Sequence, residues 1–201
     1  MNFDNVKTAL ESRGFEVSCF ETARDAVAYM NGEIDGKSVG IGGSITVEEI
    51  GLYDKLALHN DVTWHMKSYD GMSRDEIISK ANSAQIYISS VNGIAETGEI
   101  INIDGACNRV AATLYGHEKV YFVIGVNKLA PDYDSALHRA RNIAAPLNAK
   151  RLNKNTPCAV KGDKCYDCKS PERICCGLVV LWSKPRNGKY EVVLINEKLG
   201  Y

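Results

Sequence analysis

The chain has 201 residues, of which 45% are hydrophobic and 24% charged, a length and composition typical of one globular domain with a full core. The formal net charge of -1 supplies no positive field for capturing nucleic acid or an anionic membrane surface. Charged residues near the start exclude a signal peptide, and the apolar runs are too short to cross a bilayer. We therefore expect a single domain over residues 1–201, located in the cytoplasm, with neither nucleic acid nor a membrane as partner.

The hydrophobic pattern alternates between strand-like and helix-like stretches along most of the chain. Strands are predicted, with helices between most of them, at residues 15–20, 37–43, 62–66, 85–91, 98–103 and 119–126. This alternation predicts an α/β fold with a mostly parallel sheet and helices on both faces. Pro146 is expected to kink or break the long helical pattern of residues 134–152.

The end of the chain departs from this alternation. A cysteine-rich loop at residues 157–176 precedes two further strand-like stretches, the first of them at 177–182. The dipeptide Asn187-Gly188 lies between these stretches and is a strong hairpin signal. The pattern therefore predicts a C-terminal β-hairpin.

Three loops are expected at the carboxyl ends of predicted strands, at residues 41–46, 92–99 and 125–128. In open α/β sheets, ligands bind in the crevice beyond these strand ends. We therefore predict that the three loops converge on one ligand-binding crevice.

The first loop contains Gly42, Gly43, Ser44 and Thr46. Bare backbone amides and hydroxyls at the start of a helix form a site for phosphate or carboxylate, so these four residues are predicted to bind the ligand. The alternative is a tight turn whose hydroxyl only caps the helix. The third glycine of a dinucleotide-binding fingerprint is missing, which disfavours a nicotinamide cofactor.

The second loop contains Glu96, Thr97, Gly98 and Glu99. A glutamate beside a glycine that lets a substrate approach could act as nucleophile or general base, so Glu96 and Glu99 are candidate catalytic residues. Thr97 and Gly98 are candidate ligand-binding residues. The alternative for the glutamates is a solvated turn carboxylate or a helix cap.

Two further pairs of residues complete the predicted crevice. Asn108 and Arg109 open a helix, where Arg109 could clamp a carboxylate or phosphate or could form an ion pair with a nearby acid. Asn127 and Lys128 follow an apolar strand, and Asn127 is a candidate ligand-binding residue. Lys128 is a candidate catalytic residue that could stabilise a developing negative charge, and the alternative is an ordinary surface lysine.

Five of the seven cysteines lie between residues 158 and 176, with the spacing C-x6-C-x2-C-x6-C-C. In a reducing compartment such a group indicates metal binding before disulfides. The predicted ligands of an iron–sulfur cluster or of zinc are Cys158, Cys165, Cys168 and Cys175. Cys176 competes with Cys175, and the alternative is a set of reduced thiols without metal. The four histidines are scattered and are assigned no metal role.

Four ordered motifs resemble the lactate-utilisation (LUD) domain family, which includes LutC- and YkgG-type proteins. The motifs are GIGGSITVEEIGL, NGIAETGEIINIDGACNRVA, VIGVNKL and RARNIAAPLNAKRL. The resemblance implies a fold related to sugar-phosphate isomerases (RpiA), glucosamine-6-phosphate deaminases (NagB) and CoA transferases. By analogy with the transferases, it implies that Glu96 is a reacting carboxylate.

The resemblance also implies a role in oxidising lactate-like organic acids, together with partner subunits that carry iron–sulfur clusters. Our leading expectation is a LUD-domain protein that binds a small carboxylate or phosphorylated ligand in the three-loop crevice. One alternative is an acyl or CoA transferase, or a sugar-phosphate isomerase, that uses Glu96. Another is a non-catalytic metal-binding or redox subunit. The sequence does not identify the substrate, and it does not decide whether the chain is active alone. The oligomeric state also stays open, and a homo-oligomer is one possibility.

Overall fold

The computed structural model of the chain describes residues 3–201. The main sheet has six parallel strands in the spatial order β1-β10-β7-β4-β2-β3, and a smaller mixed sheet has the order β8-β5-β6-β9. The predicted α/β fold with a mostly parallel sheet is confirmed. The strands are β1 Glu16–Phe20, β2 Ser38–Ile41, β3 Asp61–Trp64, β4 Ile86–Ser89, β5 Gly93–Ala95, β6 Ile100–Asp104, β7 Lys119–Gly125, β8 Leu129–Ala130, β9 Gly177–Leu181 and β10 Lys189–Ile195.

Helices cover both faces of the main sheet. Side chains of α2, α3 and α4 pack in one apolar core, whereas α1, α6 and the smaller sheet contribute to the core on the opposite face. The helices are α1 Asp4–Ser12, α2 Ala23–Glu33, α3 Ile45–Glu49, α4 Leu52–Leu56, α5 Arg74–Asn82, α6 Asn108–Leu114, α7 Tyr133–Arg139, α8 Ala145–Arg151 and α9 Pro157–Lys161.

Strand β7 lies near the middle of the main sheet and is buried on both faces. Tyr121 and Val123 point into the core under α2–α4, while Phe122 and Ile124 point into the opposite core. Burying one such large apolar side chain contributes about 1.5–3 kcal/mol. The continuous apolar run of this strand is therefore explained by its central place between two helical layers.

The predicted C-terminal hairpin is wrong. Strand β9 pairs antiparallel with β6 in the smaller sheet, whereas β10 pairs in parallel with both β1 and β7 in the main sheet. Strand β10 is buried over nearly its whole length, which a central parallel position provides and a two-stranded hairpin does not. The Asn187-Gly188 turn thus leads from one sheet into the other.

The long helical pattern before the cysteine-rich loop is interrupted, as predicted from Pro146. Helix α7 continues into a π-helical turn at Ala140–Ala144, and α8 then begins with Pro146 in its first turn. A proline is tolerated there because the first helical N–H groups have no intrahelical partner. Arg139 is the last residue of α7 before this turn, and it is buried.

Candidate functional site

The carboxyl ends of three neighbouring strands meet at one edge of the main sheet. Strand β4 lies between β7 and β2, and all three run in the same direction. The loops that follow them therefore begin side by side. The predicted placement of residues 41–46 and 125–128 at this edge is confirmed, and Ser90 and Asn92 follow β4 there.

Packing explains both glycines of the first loop. A Cβ atom on Gly42 would lie 2.8 Å from the Tyr87 hydroxyl, and one on Gly43 would lie 2.7 Å from Nε2 of His65. The carbonyl of Gly42 accepts a hydrogen bond from Trp64 Nε1 at 2.9 Å. The glycines are therefore required by the close approach of other side chains, whether or not a ligand binds beside them.

Ser44 and Thr46 have different roles in the structure. The Ser44 side chain accepts a hydrogen bond from the backbone N–H of Val47 and so caps α3, as the alternative interpretation predicted. Thr46 is fully buried, and its hydroxyl accepts a hydrogen bond from Lys128. Of the two hydroxyls, it is Thr46 that faces the centre of the site.

Lys128 connects the segments that follow β2, β4 and β7. Its Nζ donates hydrogen bonds to Oγ1 of Thr46 at 2.8 Å and to Oγ of Ser90 at 2.9 Å. The two hydroxyl oxygens are themselves 3.3 Å apart. The Lys128 side chain is almost completely buried, with 4% of the residue exposed. We call Lys128, Thr46 and Ser90 the lysine cluster.

The electrostatic environment of Lys128 opposes its positive charge. Burial lowers the pKa of Lys128 to about 7, with further lowering by the nearby Arg139 and Arg109 cations. Glu49 has a smaller opposite effect. Lys128 makes no ion pair with any acid in residues 3–201. At neutral pH, this amine is therefore poised between its charged and neutral forms.

Residues near the C-terminus cover the lysine cluster. The carbonyl of Leu199 accepts a hydrogen bond from the Thr46 hydroxyl at 3.3 Å. The predicted ligand-binding residue Asn127 holds this covering segment, because its amide oxygen accepts a hydrogen bond from Leu199 N at 3.0 Å and its amide nitrogen donates one to Gly200 O at 3.1 Å. Glu49 accepts a further hydrogen bond from Gly200 N. Access to Lys128 from this side thus requires the 199–201 segment to move.

Arg109 is engaged by the protein itself. Its guanidinium donates to Asn102 Oδ1 at 2.7 Å, to the carbonyl of Ile103 at 2.9 Å and to the carbonyl of Ser90 at 3.2 Å. Its Nε lies 3.5 Å from the carboxylate of Asp104. The structure therefore gives Arg109 a positioning role, in which it fixes the loop after β4 beside α6, consistent with the ion-pair alternative.

Two polar residues near the glycine loop were missed by sequence reasoning. His65 lies next to Gly43, and its Nδ1 is 3.3 Å from Nδ2 of Asn108. Burial lowers the pKa of His65 to about 4, so the imidazole is neutral at physiological pH. The hydroxyl of Tyr87 is fully buried and has no hydrogen-bond partner in residues 3–201. No motif in the sequence marked either residue.

The second loop is not one open loop. Residues 96–99 form the turn of an antiparallel hairpin between β5 and β6, and Gly98 has a positive φ of 96°. Glu99 accepts a hydrogen bond from Arg13 at 2.5 Å and another from the Thr97 hydroxyl. Burial raises the pKa of Glu99, but these contacts together bring it below its usual value. The carboxylate of Glu99 therefore ties the hairpin to the segment after α1.

Glu96 lies on the same turn but is only partly buried. Its backbone N–H donates to the carbonyl of Ala130 at 2.8 Å, two residues beyond Lys128. No side-chain hydrogen bond or ion pair involves Glu96 within the described part of the chain. Its assignment as a reacting carboxylate, and the transferase alternative with it, stays a prediction.

With the fold and the lysine cluster established, comparison with known proteins decides the family. The family model described as LUD domain matches residues 3–195. The chain belongs to the LUD domain family. Among solved structures, this LUD-domain chain resembles a DUF162 family protein from Deinococcus radiodurans, with 12% identity and a TM-score of 0.53 over 97% of this chain and 99% of that chain. At this identity the likeness shows the fold alone.

Other comparisons add no function. The beta subunit of eIF2B from Chaetomium thermophilum covers 56% of this LUD-domain chain and 44% of its own, with 16% identity and a TM-score of 0.39, which carries no argument. No curated protein matches the chain. None of the helices in residues 3–201 has both the length and the apolarity needed to span a membrane.

The cysteine-rich loop of this LUD-domain protein lies outside the lysine cluster. Cys158 is in α9, and the other predicted ligands follow it in a stretch without helix or strand. All seven cysteines are free thiols. Within residues 3–201, no three His, Cys, Asp or Glu side chains are close enough together to hold a metal ion as they stand. Metal binding therefore stays a prediction at this point.

An open cavity of about 550 Å³ separates this loop from α7. It is lined by His138 and Arg141 on the helical side and by Lys164 and Tyr166 on the loop side. Its volume falls within the range of small-molecule pockets. It does not include any residue of the lysine cluster, and sequence reasoning did not predict it.

Proposed function

We propose that this LUD-domain protein binds a small organic acid, or a phosphorylated relative, beside Lys128 and takes part in the use of lactate-like acids. The observation that carries the proposal is a buried lysine at the carboxyl edge of the sheet that has hydroxyl partners but no acidic partner. The role in lactate-like metabolism is supported by the family resemblance. The binding of an anion is supported by the electrostatics of the cluster.

A buried ammonium group without a counter-ion is unfavourable, since burial removes its hydration. The lowered pKa of Lys128 expresses this cost, because the folded protein favours the neutral amine. A carboxylate or phosphate that entered the cluster would supply the missing negative charge. Strongly perturbed lysines with such surroundings are found preferentially at functional sites.

The hydroxyls beside Lys128 suit an oxygen-rich ligand. Thr46 and Ser90 can each donate a hydrogen bond once the amine is directed to the incoming anion. The segment that must move away to admit the ligand is short, since its contacts with the cluster and its neighbours are made by residues 199 and 200. A compact acid of a few carbon atoms therefore fits the proposal better than a dinucleotide.

Titration calorimetry at several pH values tests this proposal. L-lactate, pyruvate and inorganic phosphate are the probes, and each is measured in two buffers of different ionisation enthalpy. At pH 8, the free Lys128 amine is mostly neutral, so binding of an anion should be accompanied by uptake of a proton. For lactate and pyruvate, which stay ionised throughout this range, affinity should be constant below about pH 7 and should fall by up to about tenfold per pH unit above it.

A matched pair of variants completes the test. Lys128→Met should abolish both the binding and the proton uptake, whereas Lys55→Met, on an exposed face of α4, should change neither. Binding that is as tight in Lys128→Met as in the parent protein would contradict the proposal. So would an absence of binding by all three probes at millimolar concentration.

A further inference from the structure

We propose that Cys158, Cys165, Cys168 and Cys175 hold a single thiophilic metal ion, of which zinc is the representative. The four residues line one small hollow between α8 and the cysteine-rich loop. Thr156, Pro146 and Ala149 contribute to the same hollow. This inference is independent of the proposed function at Lys128, because the two sites share no residue.

The membership of the hollow separates the five clustered cysteines. Cys176 does not line it, and its thiol instead donates to the carbonyl of Arg173 on an exposed part of the loop. The backbone N–H of Cys176 donates to the carbonyl of Asp104 at the end of β6 in the smaller sheet. The sequence left the choice between Cys175 and Cys176 open. Because Cys175 lines the hollow and Cys176 does not, Cys175 is the fourth proposed ligand.

The size of the hollow favours one ion over a cluster. Its volume is about 10 Å³, close to the minimum that holds one water-sized atom. A zinc ion bonded to four sulfurs at about 2.3 Å needs no more space than this. An iron–sulfur cluster brings several iron and sulfide atoms and requires a larger opening.

In the turn between Cys165 and Cys168, the sulfur of Cys165 accepts a backbone hydrogen bond. Asp167 has a positive φ of 46°, which is uncommon for a residue other than glycine. In this conformation its backbone N–H points at Sγ of Cys165, with N and S separated by 3.4 Å. A hydrogen bond of this kind orients the sulfur, as the hydrogen bonds that surround the ligands of a metal site do.

Two arginines supply positive charge of the kind that a four-thiolate site needs. Four thiolates and one divalent ion carry a net charge of -2. Arg141 and Arg173 line the same hollow, and Arg173 is fixed by hydrogen bonds to the carbonyls of Cys168 and Cys175, both at 2.9 Å. The two guanidinium groups therefore offset part of this charge, while Asp167, whose carboxylate lies 3.5–3.6 Å from both, neutralises some of their positive charge.

A metal ion would also explain how the loop is held. Residues 162–176 contain no helix or strand, and irregular stretches of this length are uncommon in a compact domain. The ion would tie Cys158 in α9 to three points along the loop. Coordination requires the thiols to turn toward the centre of the hollow, and a cysteine side chain turns about a single bond.

Titration of the untagged, chelator-treated and reduced protein with Co(II) tests the proposal. One equivalent should produce the intense visible absorption of tetrahedral cobalt–thiolate coordination, and Zn(II) should then displace it. The protein as purified should contain one equivalent of zinc by elemental analysis. Loss of the metal should lower the melting temperature, because the ion binds the folded chain only.

Matched double variants identify the ligands. Replacing Cys165 and Cys168 with serine should reduce the metal content to background, whereas Cys19→Ser with Cys176→Ser removes two thiols and should leave it unchanged. Equal losses in both double variants, iron with labile sulfide after anaerobic purification, or a disulfide within the loop would each overturn the proposal. Because the cobalt spectrum is measured on the parent chain, it decides the case even if a variant fails to fold.

Discussion

Two lysines lie at opposite ends of strand β7, one partly buried and the other almost completely buried, and they differ in their partners. Lys119, at the amino end, forms ion pairs with Glu16 at 2.8 Å and with Glu191 at 2.7 Å. Lys128 follows the carboxyl end and has only hydroxyl partners. Burial acts to lower the pKa of both amines, but the two carboxylates raise the pKa of Lys119 above its ordinary value.

This contrast indicates a structural role for the charge of Lys119 and a candidate functional role for the charge of Lys128. Glu191 is almost fully buried in β10, where Ser18 and Tyr29 also donate to its carboxylate. The charge of Lys119 is therefore compensated within the fold. The charge of Lys128 is not, and an arrangement that leaves a buried amine uncompensated favours a role in binding over a role in stability.

The largest effect on stability is expected from replacing Lys119, the lysine that forms ion pairs. Lys119→Met should lower the free energy of unfolding by about 3–5 kcal/mol, because Glu191 stays buried without its cation. Urea unfolding at pH 7.5 measures this change. The double variant Lys119→Met, Glu191→Leu should recover much of the loss, since both charges are then removed. A single variant as stable as the parent protein would mean that the pair is not a structural element.

A smaller effect on stability, of the opposite sign, is expected from replacing Lys128, the lysine without an ion pair. At pH 6, Lys128→Met should raise the free energy of unfolding by about 1–4 kcal/mol, because the folded parent protein must carry a buried proton that the variant lacks. Between pH 7 and about 10, the unfolded lysine binds a proton that the folded one has lost. The stability of the parent protein should therefore rise across this window relative to the variant.

Urea unfolding of both proteins at pH 6, 8 and 9.5 checks the sign. The pKa of Lys119 is raised, so its stabilising contribution is present throughout this range and is lost only above it. A difference between parent and Lys128→Met that does not change from pH 6 to 9.5 would show that Lys128 titrates normally. The contrast between the two lysines would then be lost.

The sequence predicted Lys128 as a site residue but only part of its surroundings. Lys128 and Thr46 were found because both follow predicted parallel strands, and the geometry of such sheets brings strand ends together. Ser90 also follows a strand but was counted as part of it. Arg139 and the segment at Leu199 were missed, because their contacts with the site depend on packing between residues distant in sequence.

Local signals misled where tertiary context decided the outcome. Asn187-Gly188 is a strong hairpin signal, but the burial of β10 between β1 and β7 determined where the strand went. The catalytic role predicted for the glutamates at residues 96–99 stays a prediction, but the pairing of Glu99 with Arg13 could not be predicted, because the two residues are 86 positions apart in the sequence. The fold class was predictable because it depends on the pattern of whole elements, whereas individual contacts were not.

The smallest effect concerns access to the two lysines. Asn127→Ala removes both hydrogen bonds that the Asn127 amide makes with the segment at Leu199 and Gly200. Local opening of this segment should become easier by about 1 kcal/mol, so that acetylation of Lys128 by acetic anhydride at pH 8 becomes about fivefold faster. Acetylation of Lys119 should not change, because its ion pairs are untouched. Peptide mass spectrometry measures both rates in one sample.

The matched control for this prediction is Asn142→Ala, which removes a hydrogen bond to Cys165 in the cysteine-rich loop and leaves the covering segment intact. Acetylation of Lys128 should be unchanged in it. If Asn127→Ala accelerates both lysines equally, the variant opens the whole sheet rather than the cover. Acceleration confined to Lys128 would mean that the segment at residues 199–201 limits entry to the lysine cluster, as a site that admits a small anion requires.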